Sequence, residues 1–154
     1  MKLKAGLTIL FLITAHIGLS QKGSLYLTHF QKNSISNITH WSIAQDSLNN
    51  MFFANRKGIL KYNGETWDFI KIPFIPYSLS CHKRSGNIFV GGDQGIGYLI
   101  RNNKGLYHFH SLGSYSLFSG KFINIKKVDS VIYFMSEKMI IRTDPQKLTV
   151  EKIW

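Results

Sequence analysis

The chain has 154 residues, of which 44% are hydrophobic, 14% aromatic and 18% charged. This composition excludes a disordered acidic tail or a low-complexity linker, and the length allows one ordinary domain, not a sensor, a membrane helix and an output domain together. A single cysteine, Cys81, excludes an internal disulfide framework and any multi-cysteine zinc or iron–sulfur site.

The amino terminus has the pattern of an export signal. Two lysines in the first four residues precede 5–19, an apolar run without a charged residue, and Gly18 and Ser20 supply the small residues that a signal peptidase requires before a cut. An uncleaved anchor is the alternative, but the run is shorter than the roughly 20 residues that span a bilayer. We therefore predict a signal peptide at residues 1–20, cleavage between Ser20 and Gln21, and export to the periplasm or the cell exterior.

The net charge is +11, and it falls to +9 when the signal peptide takes Lys2 and Lys4 with it. The remaining basic residues are scattered and are adjacent only in the pairs Arg56-Lys57, Lys83-Arg84 and Lys126-Lys127. Because nucleic-acid binding needs a concentrated positive stripe, we predict no nucleic-acid partner for this segment.

From Trp41 onward the sequence predicts β-strands. Short apolar runs are separated by clusters of Gly, Asn, Asp and Ser, and no window keeps the period of a helix. Asn63-Gly64 predicts a tight hairpin turn. The first four predicted strands are 41–45, 51–54, 59–62 and 66–70.

The same order of strands and turns returns along the chain. Phe52 and Gly58 correspond to Phe89 and Gly95, 37 positions later, and a third copy follows after a further 44 positions with Met139 in place of the glycine. A four-stranded unit that recurs in this way is typical of β-propeller blades, whereas a β-sandwich needs no fixed period. The predicted strands of the second and third copies are 77–81, 87–90, 97–100, 106–109, 122–125, 131–134, 139–142 and 148–150.

We therefore predict an all-β chain built from antiparallel four-stranded blades of a β-propeller. The propeller region spans residues 21–154, with about three blades near 38–72, 76–110 and 120–154. Since closed propellers have about 4–8 blades, we expect an incomplete ring and a fragment or truncated reading frame.

The first repeat contains WSIAQD at 41–46, MFFAN at 51–55, GILKYNG at 58–64 and Trp67, and the second contains IFVGG at 88–92 and GIGYL at 95–99. With these motifs, the repeats resemble the two-component regulator propeller family. The resemblance covers residues 25–110 well and 120–154 loosely.

The resemblance implies that the chain is part of the amino-terminal propeller sensor region of triple-tyrosine-motif or hybrid two-component receptors. In such receptors the propeller is extracytoplasmic and is usually followed by a triple-tyrosine immunoglobulin-like domain, a transmembrane helix and a cytoplasmic histidine kinase or helix-turn-helix regulator. The implied partners are an unknown extracellular or periplasmic ligand, with a glycan among the candidates, and the remaining blades and output domains of the receptor.

Two motifs could be taken for chemical sites. The glycine-rich segment 91–97 looks like a phosphate cradle, but it joins two predicted strands and does not open a helix, so we expect tight-turn glycines. His108 and His110 alternate onto one strand face, but a zinc site needs three or four ligands. We predict no metal and no cofactor, and we expect isolated surface or half-buried side chains at His29, His40 and His82.

The sequence indicates no catalytic group. Asp46 is expected to bind loop amides and Asp68 to point outward between Trp67 and Phe69, and no nucleophile elbow is present. Blade packing is a better assignment than glycan stacking for the aromatic residues at strand spacing. These are Trp41, Trp67, Tyr62, Phe52, Phe53 and Phe89.

The predicted function is therefore a non-catalytic, ligand- or partner-sensing propeller segment of a two-component-type receptor, whose ligand-binding residues the sequence does not identify. Two alternatives stay open: a secreted carbohydrate-binding or carbohydrate-active propeller enzyme, and a nonfunctional truncated remnant. The enzyme would need acidic residues gathered at the propeller axis.

Overall fold

The computed structural model describes residues 39–154, so the predicted signal peptide and His29 lie outside the described residues. The described part of the chain forms twelve β-strands and one short 3₁₀ turn, and no helix in it is long and apolar enough to cross a membrane. The strands, numbered β1–β12 in chain order, are His40–Gln45, Met51–Asn55, Gly58–Tyr62, Trp67–Ile70, Pro76–His82, Asn87–Gly92, Gly95–Arg101, Tyr107–Ser111, Asn124–Val128, Val131–Met135, Ile140–Asp144 and Thr149–Ile153.

The strands form three antiparallel four-stranded sheets in which neighbours in sequence are also neighbours in the sheet. We call β1–β4 blade 1, β5–β8 blade 2 and β9–β12 blade 3. The predicted all-β class and the four-stranded unit are confirmed. Within the described residues, the three propeller-like blades do not close a ring.

Adjacent blades meet chiefly through their first strands. Strand β5 lies against β1 and β2, and β9 lies against β5 and β6. The first strand of each blade is therefore next to the first strand of the following blade, as the inner strands of a propeller are.

An apolar core fills each of the two interfaces between blades. Phe52 of blade 1 packs with Ile88 and Val90 of blade 2, while Phe89 of blade 2 packs with Phe134 of blade 3, and all five side chains are fully buried. Because successive residues of a strand point to opposite faces, β6 contributes to both cores, and all six of its residues are buried.

The aromatic residues assigned to blade packing do not all become buried. Phe52 and Phe89 are buried as predicted, but the prediction is wrong for Trp41, which is 41% exposed. A bulge in the pairing of β1 with β2 falls at this position, and the indole N–H donates to the carbonyl of Pro76. Three others are half-buried: the ring of Trp67 contacts those of Phe53 and Tyr62.

The turn after β3 is longer than predicted. Strand β3 ends at Tyr62 and β4 begins at Trp67, so Thr66 lies in the turn. The side-chain oxygen of Asn63 accepts the backbone amides of Glu65 at 3.0 Å and Thr66 at 2.7 Å. This side chain closes a four-residue turn in place of the shorter hairpin turn.

Candidate functional site: a cleft between the first two blades

A cleft of about 490 Å³ lies where blade 1 meets blade 2. The turn after β1 forms one wall, the turn after β5 forms the other, and residues of β6, β7 and β8 complete the lining. Its volume is typical of pockets that hold small organic molecules. The lining residues are Asp46, Ser47, Leu48, Lys83, Arg84, Ser85, Gly86, Asn87, Ile100, Arg101 and Tyr107.

Asp46 connects the two blades that form the cleft. It is 6% exposed, and one carboxylate oxygen accepts the amides of Leu48 at 2.8 Å and Asn50 at 2.9 Å, which confirms the predicted binding of loop amides. The other oxygen accepts the side-chain amide of Asn50 at 2.7 Å and the hydroxyl of Tyr107 at 2.5 Å. Tyr107 belongs to β8, so this last bond crosses from blade 1 to blade 2.

Burial and hydrogen bonding act in opposite directions on the Asp46 carboxyl. Burial raises its pKa, but the hydrogen bonds from Tyr107, Asn50 and the turn amides outweigh burial, and the pKa lies below its ordinary value. Burial, followed by the adjacent carboxylate, raises the pKa of Tyr107 well above its usual range. The contact is therefore a neutral phenol that donates to a carboxylate.

An ion pair between a buried lysine and a half-exposed aspartate lies beside Tyr107. Lys61 is buried in β3, with its Nζ 2.7 Å from Oδ2 of Asp68 and 5.5 Å from the centre of the Tyr107 ring. The Asp68 side chain is 48% exposed, in agreement with its predicted outward position, but the predicted alternation is wrong for Phe69, which is exposed as well. Asp68 lies directly opposite Lys61 across β3 and β4. The carboxylate of Asp68 thus supplies the counter-charge that the buried ammonium of Lys61 needs.

The rim of the cleft is positively charged. Lys83 and Arg84 come from the turn after β5 and Arg101 from the end of β7, and all three are exposed. None of them forms an ion pair with a carboxylate of residues 39–154. Asp46 adds one negative charge to the lining but forms no ion pair with these three cations, so the cleft keeps an excess of positive charge.

Two exposed aliphatic side chains lie beside these charges. Leu48 is 55% exposed on the blade 1 wall, and Ile100 is 38% exposed on the blade 2 side. The cleft therefore combines cationic groups with an apolar contact surface, as small-molecule sites commonly do. Neither residue stands out in the sequence, because a lone aliphatic residue near a turn carries no distinctive pattern.

His82 supports one wall of the cleft. It is buried, not half-buried or at the surface as expected, and its Nδ1 lies 2.9 Å from Oγ of Ser85. Its carbonyl accepts the amides of Ser85 and Gly86. Burial, and then the nearby charges of Lys127 and Arg84, lower the pKa of His82.

The two histidines that alternate onto one face of β8 have different partners. His108 and His110 are both exposed; Nε2 of His108 lies 3.0 Å from the side-chain nitrogen of Asn102, and His110 stacks on Tyr98 with ring centres 5.5 Å apart. In the part of the chain that the structure describes, no group of three or more His, Cys, Asp or Glu side chains is placed to hold a metal ion.

The glycine-rich segment 91–97 is a hairpin, as predicted. Strand β6 runs to Gly92 and β7 starts at Gly95, with a two-residue turn between them. A Cβ atom at either glycine would lie 2.3 Å from the Phe74 ring. The glycines therefore allow Phe74 to pack closely on the hairpin.

The chain was compared with known proteins. No protein-family model matches it, and no curated protein matches its sequence. The family resemblance of the repeats therefore stays a prediction.

Proposed function

We propose that the chain is an extracytoplasmic, non-catalytic β-propeller segment that senses a ligand or a partner for a two-component-type signal-transduction receptor. The repeat motifs at 41–67 and 88–99 support this proposal through their family resemblance, and the export pattern of the first 20 residues supports the location. The observation that carries the sensing role is the cleft between blades 1 and 2.

The cleft is placed where occupation would act on blade packing. A ligand in it would contact the turns after β1 and after β5, and hence both blades, beside the hydrogen bond from Tyr107 to Asp46. A ligand shifts a conformational equilibrium only by its differential affinity for the two states. A ligand that contacts both blades would have that differential affinity, because its contacts would differ between two arrangements of the blades. The remaining blades and output domains of the receptor would relay the change.

A secreted carbohydrate-binding or carbohydrate-active propeller is the second candidate. It is favoured by the exposed ring of Trp41, whose centre lies 5.6 Å from that of Tyr77, because adjacent aromatic rings offer a surface to a sugar face. Hydrolysis of a glycoside would also require two carboxyl groups across the scissile bond.

Deletion of the gene in its source organism tests the sensing role. We expect a defined set of transcripts to change, and to return when the wild-type chain is restored. Tyr107→Phe removes the hydrogen bond between the blades and should change the same transcripts. Tyr115→Phe should not change them, because Tyr115 is exposed and lies outside the cleft. Unchanged transcription, combined with loss of polysaccharide breakdown in the culture supernatant, would support the carbohydrate-active alternative instead.

A further inference from the structure

We infer that the cleft between blades 1 and 2 binds a small organic anion, a molecule with a carboxylate or sulfate group on an apolar body. This inference rests on the proposed sensing function and names the ligand class of the same site. It follows from the charge, the apolar surface and the size of the cleft.

The charge selects the anionic group. Lys83, Arg84 and Arg101 line the cleft, are exposed, and have no carboxylate partner within the described residues. Arginine presents paired donors that match the oxygens of a carboxylate or sulfate. Asp46 does not compete for these cations, since its two oxygens already accept four hydrogen bonds.

The aliphatic side chains select the apolar body. Leu48 and Ile100 line the same cleft and are exposed, so a ligand that covers them removes apolar surface from water. An inorganic anion would use the cations and leave this surface bare. The volume of about 490 Å³ suits a small organic molecule.

The other two cavities described lack this combination. The cavity of about 310 Å³ beside Phe74 contains Asp93 and no cationic lining residue. The cavity of about 660 Å³ on blade 3 contains one cation, Lys126, among mainly apolar residues on an open sheet face. The cleft between blades 1 and 2 is therefore the favoured anion site of the three.

Calorimetric titration of the purified chain with naphthalene-2-sulfonate tests the inference. We expect 2-naphthalenemethanol, a neutral compound with the same ring system, and inorganic sulfate to bind at least about tenfold more weakly, because each lacks one of the two contacts. Arg84→Gln and Arg101→Gln should each weaken sulfonate binding about tenfold. Lys138→Gln removes the same charge from an exposed turn outside the cleft and should leave binding unchanged.

A further variant tests the apolar contact. Leu48→Ser should weaken binding of the sulfonate and leave binding of sulfate unchanged.

The inference would be overturned by equal binding of the neutral compound, or by equal effects of Arg84→Gln and Lys138→Gln in variants whose circular dichroism matches the wild type. If the sulfonate does not bind but gene deletion still changes transcription, the ligand class is wrong and the sensing function stands. If the sulfonate binds in the cleft but deletion changes no transcript, the site stands and the sensing function is wrong.

Discussion

At the scale of single residues, the hydroxyl of Tyr107 connects two blades. Tyr107→Phe removes the bond to Asp46 and keeps the ring, whose centre lies 5.0 Å from that of Phe52. We expect the free energy of unfolding, measured by urea denaturation, to fall by about 1–3 kcal/mol, because a hydrogen bond to a buried carboxylate is lost. Tyr115→Phe is the matched control, since Tyr115 is exposed. Equal losses in the two variants would contradict a stabilising role for the bond.

The carboxyl group of Asp46 predicts an acid dependence of stability. Its pKa is lower in the folded chain than its ordinary value, so its contribution to stability is complete above about pH 4 and is lost as the pH falls through the folded pKa. Asp46→Asn should be less stable at pH 7 and should lose less stability on acidification. Urea denaturation from pH 7 to pH 3 measures both effects. Asp129→Asn, which changes an exposed carboxylate in the turn after β9, should keep the wild-type acid dependence.

At the scale of elements, the hairpin of β6 and β7 depends on the absence of side chains where Phe74 packs. Gly95→Ala would place a Cβ atom 2.3 Å from a carbon of the Phe74 ring. We expect a loss of about 1–3 kcal/mol in the free energy of unfolding, because the interface is overpacked. In a thermodynamic cycle, Phe74→Leu should cost less in the Gly95→Ala background than in the wild type. Additive effects of the two substitutions would contradict this close packing.

The third repeat forms its hairpin without the glycine found in the first two. Met139 occupies that position, and β11 begins at Ile140. The hydroxyl oxygen of Ser136 accepts the amides of Lys138 at 3.2 Å and Met139 at 3.1 Å. A side chain thus holds the turn where the glycine is missing, and the four-stranded order is kept.

At the scale of the whole molecule, equivalent residues of the repeat have different surroundings. Ile59 and Ile96 are fully buried against the next blade, whereas Ile140, the corresponding residue of blade 3, is 43% exposed. No further sheet of residues 39–154 covers this face, where Ile140, Val128 and Trp154 line an open apolar cavity.

This exposed face predicts concentration-dependent self-association, because large apolar patches associate in water. Sedimentation velocity over a concentration series should show larger species, and the combined change Val128→Lys and Ile140→Lys should restore the monomer. Leu117→Lys is the control, since Leu117 is exposed but does not line this face. The prediction would be contradicted by a monomer at every concentration. It would also be contradicted if Leu117→Lys restored the monomer as well as the double substitution does.

Much of the fold could be predicted from the sequence. The alternation of apolar residues and turn residues predicts the strands, and the recurrence of Phe52 at Phe89 predicts the blades, because both patterns arise from local geometry. Local chemistry also predicts the binding of turn amides by Asp46. The predicted burial of Trp41 and Phe69 is wrong. The exposure of Trp41 depends on a bulge, and that of Phe69 depends on which face of the blade is covered.

The candidate site was decided by the tertiary structure. Asp46 and Tyr107 are 61 positions apart, and nothing in either local pattern indicates that they meet. Leu48 and Arg101 likewise line one cleft only because blade 1 packs beside blade 2. The sequence by itself thus determined the strands, the turns and their repetition, which depend on near neighbours. The pairing of blades determined the buried charges and the cleft, since these depend on residues that are distant in the chain.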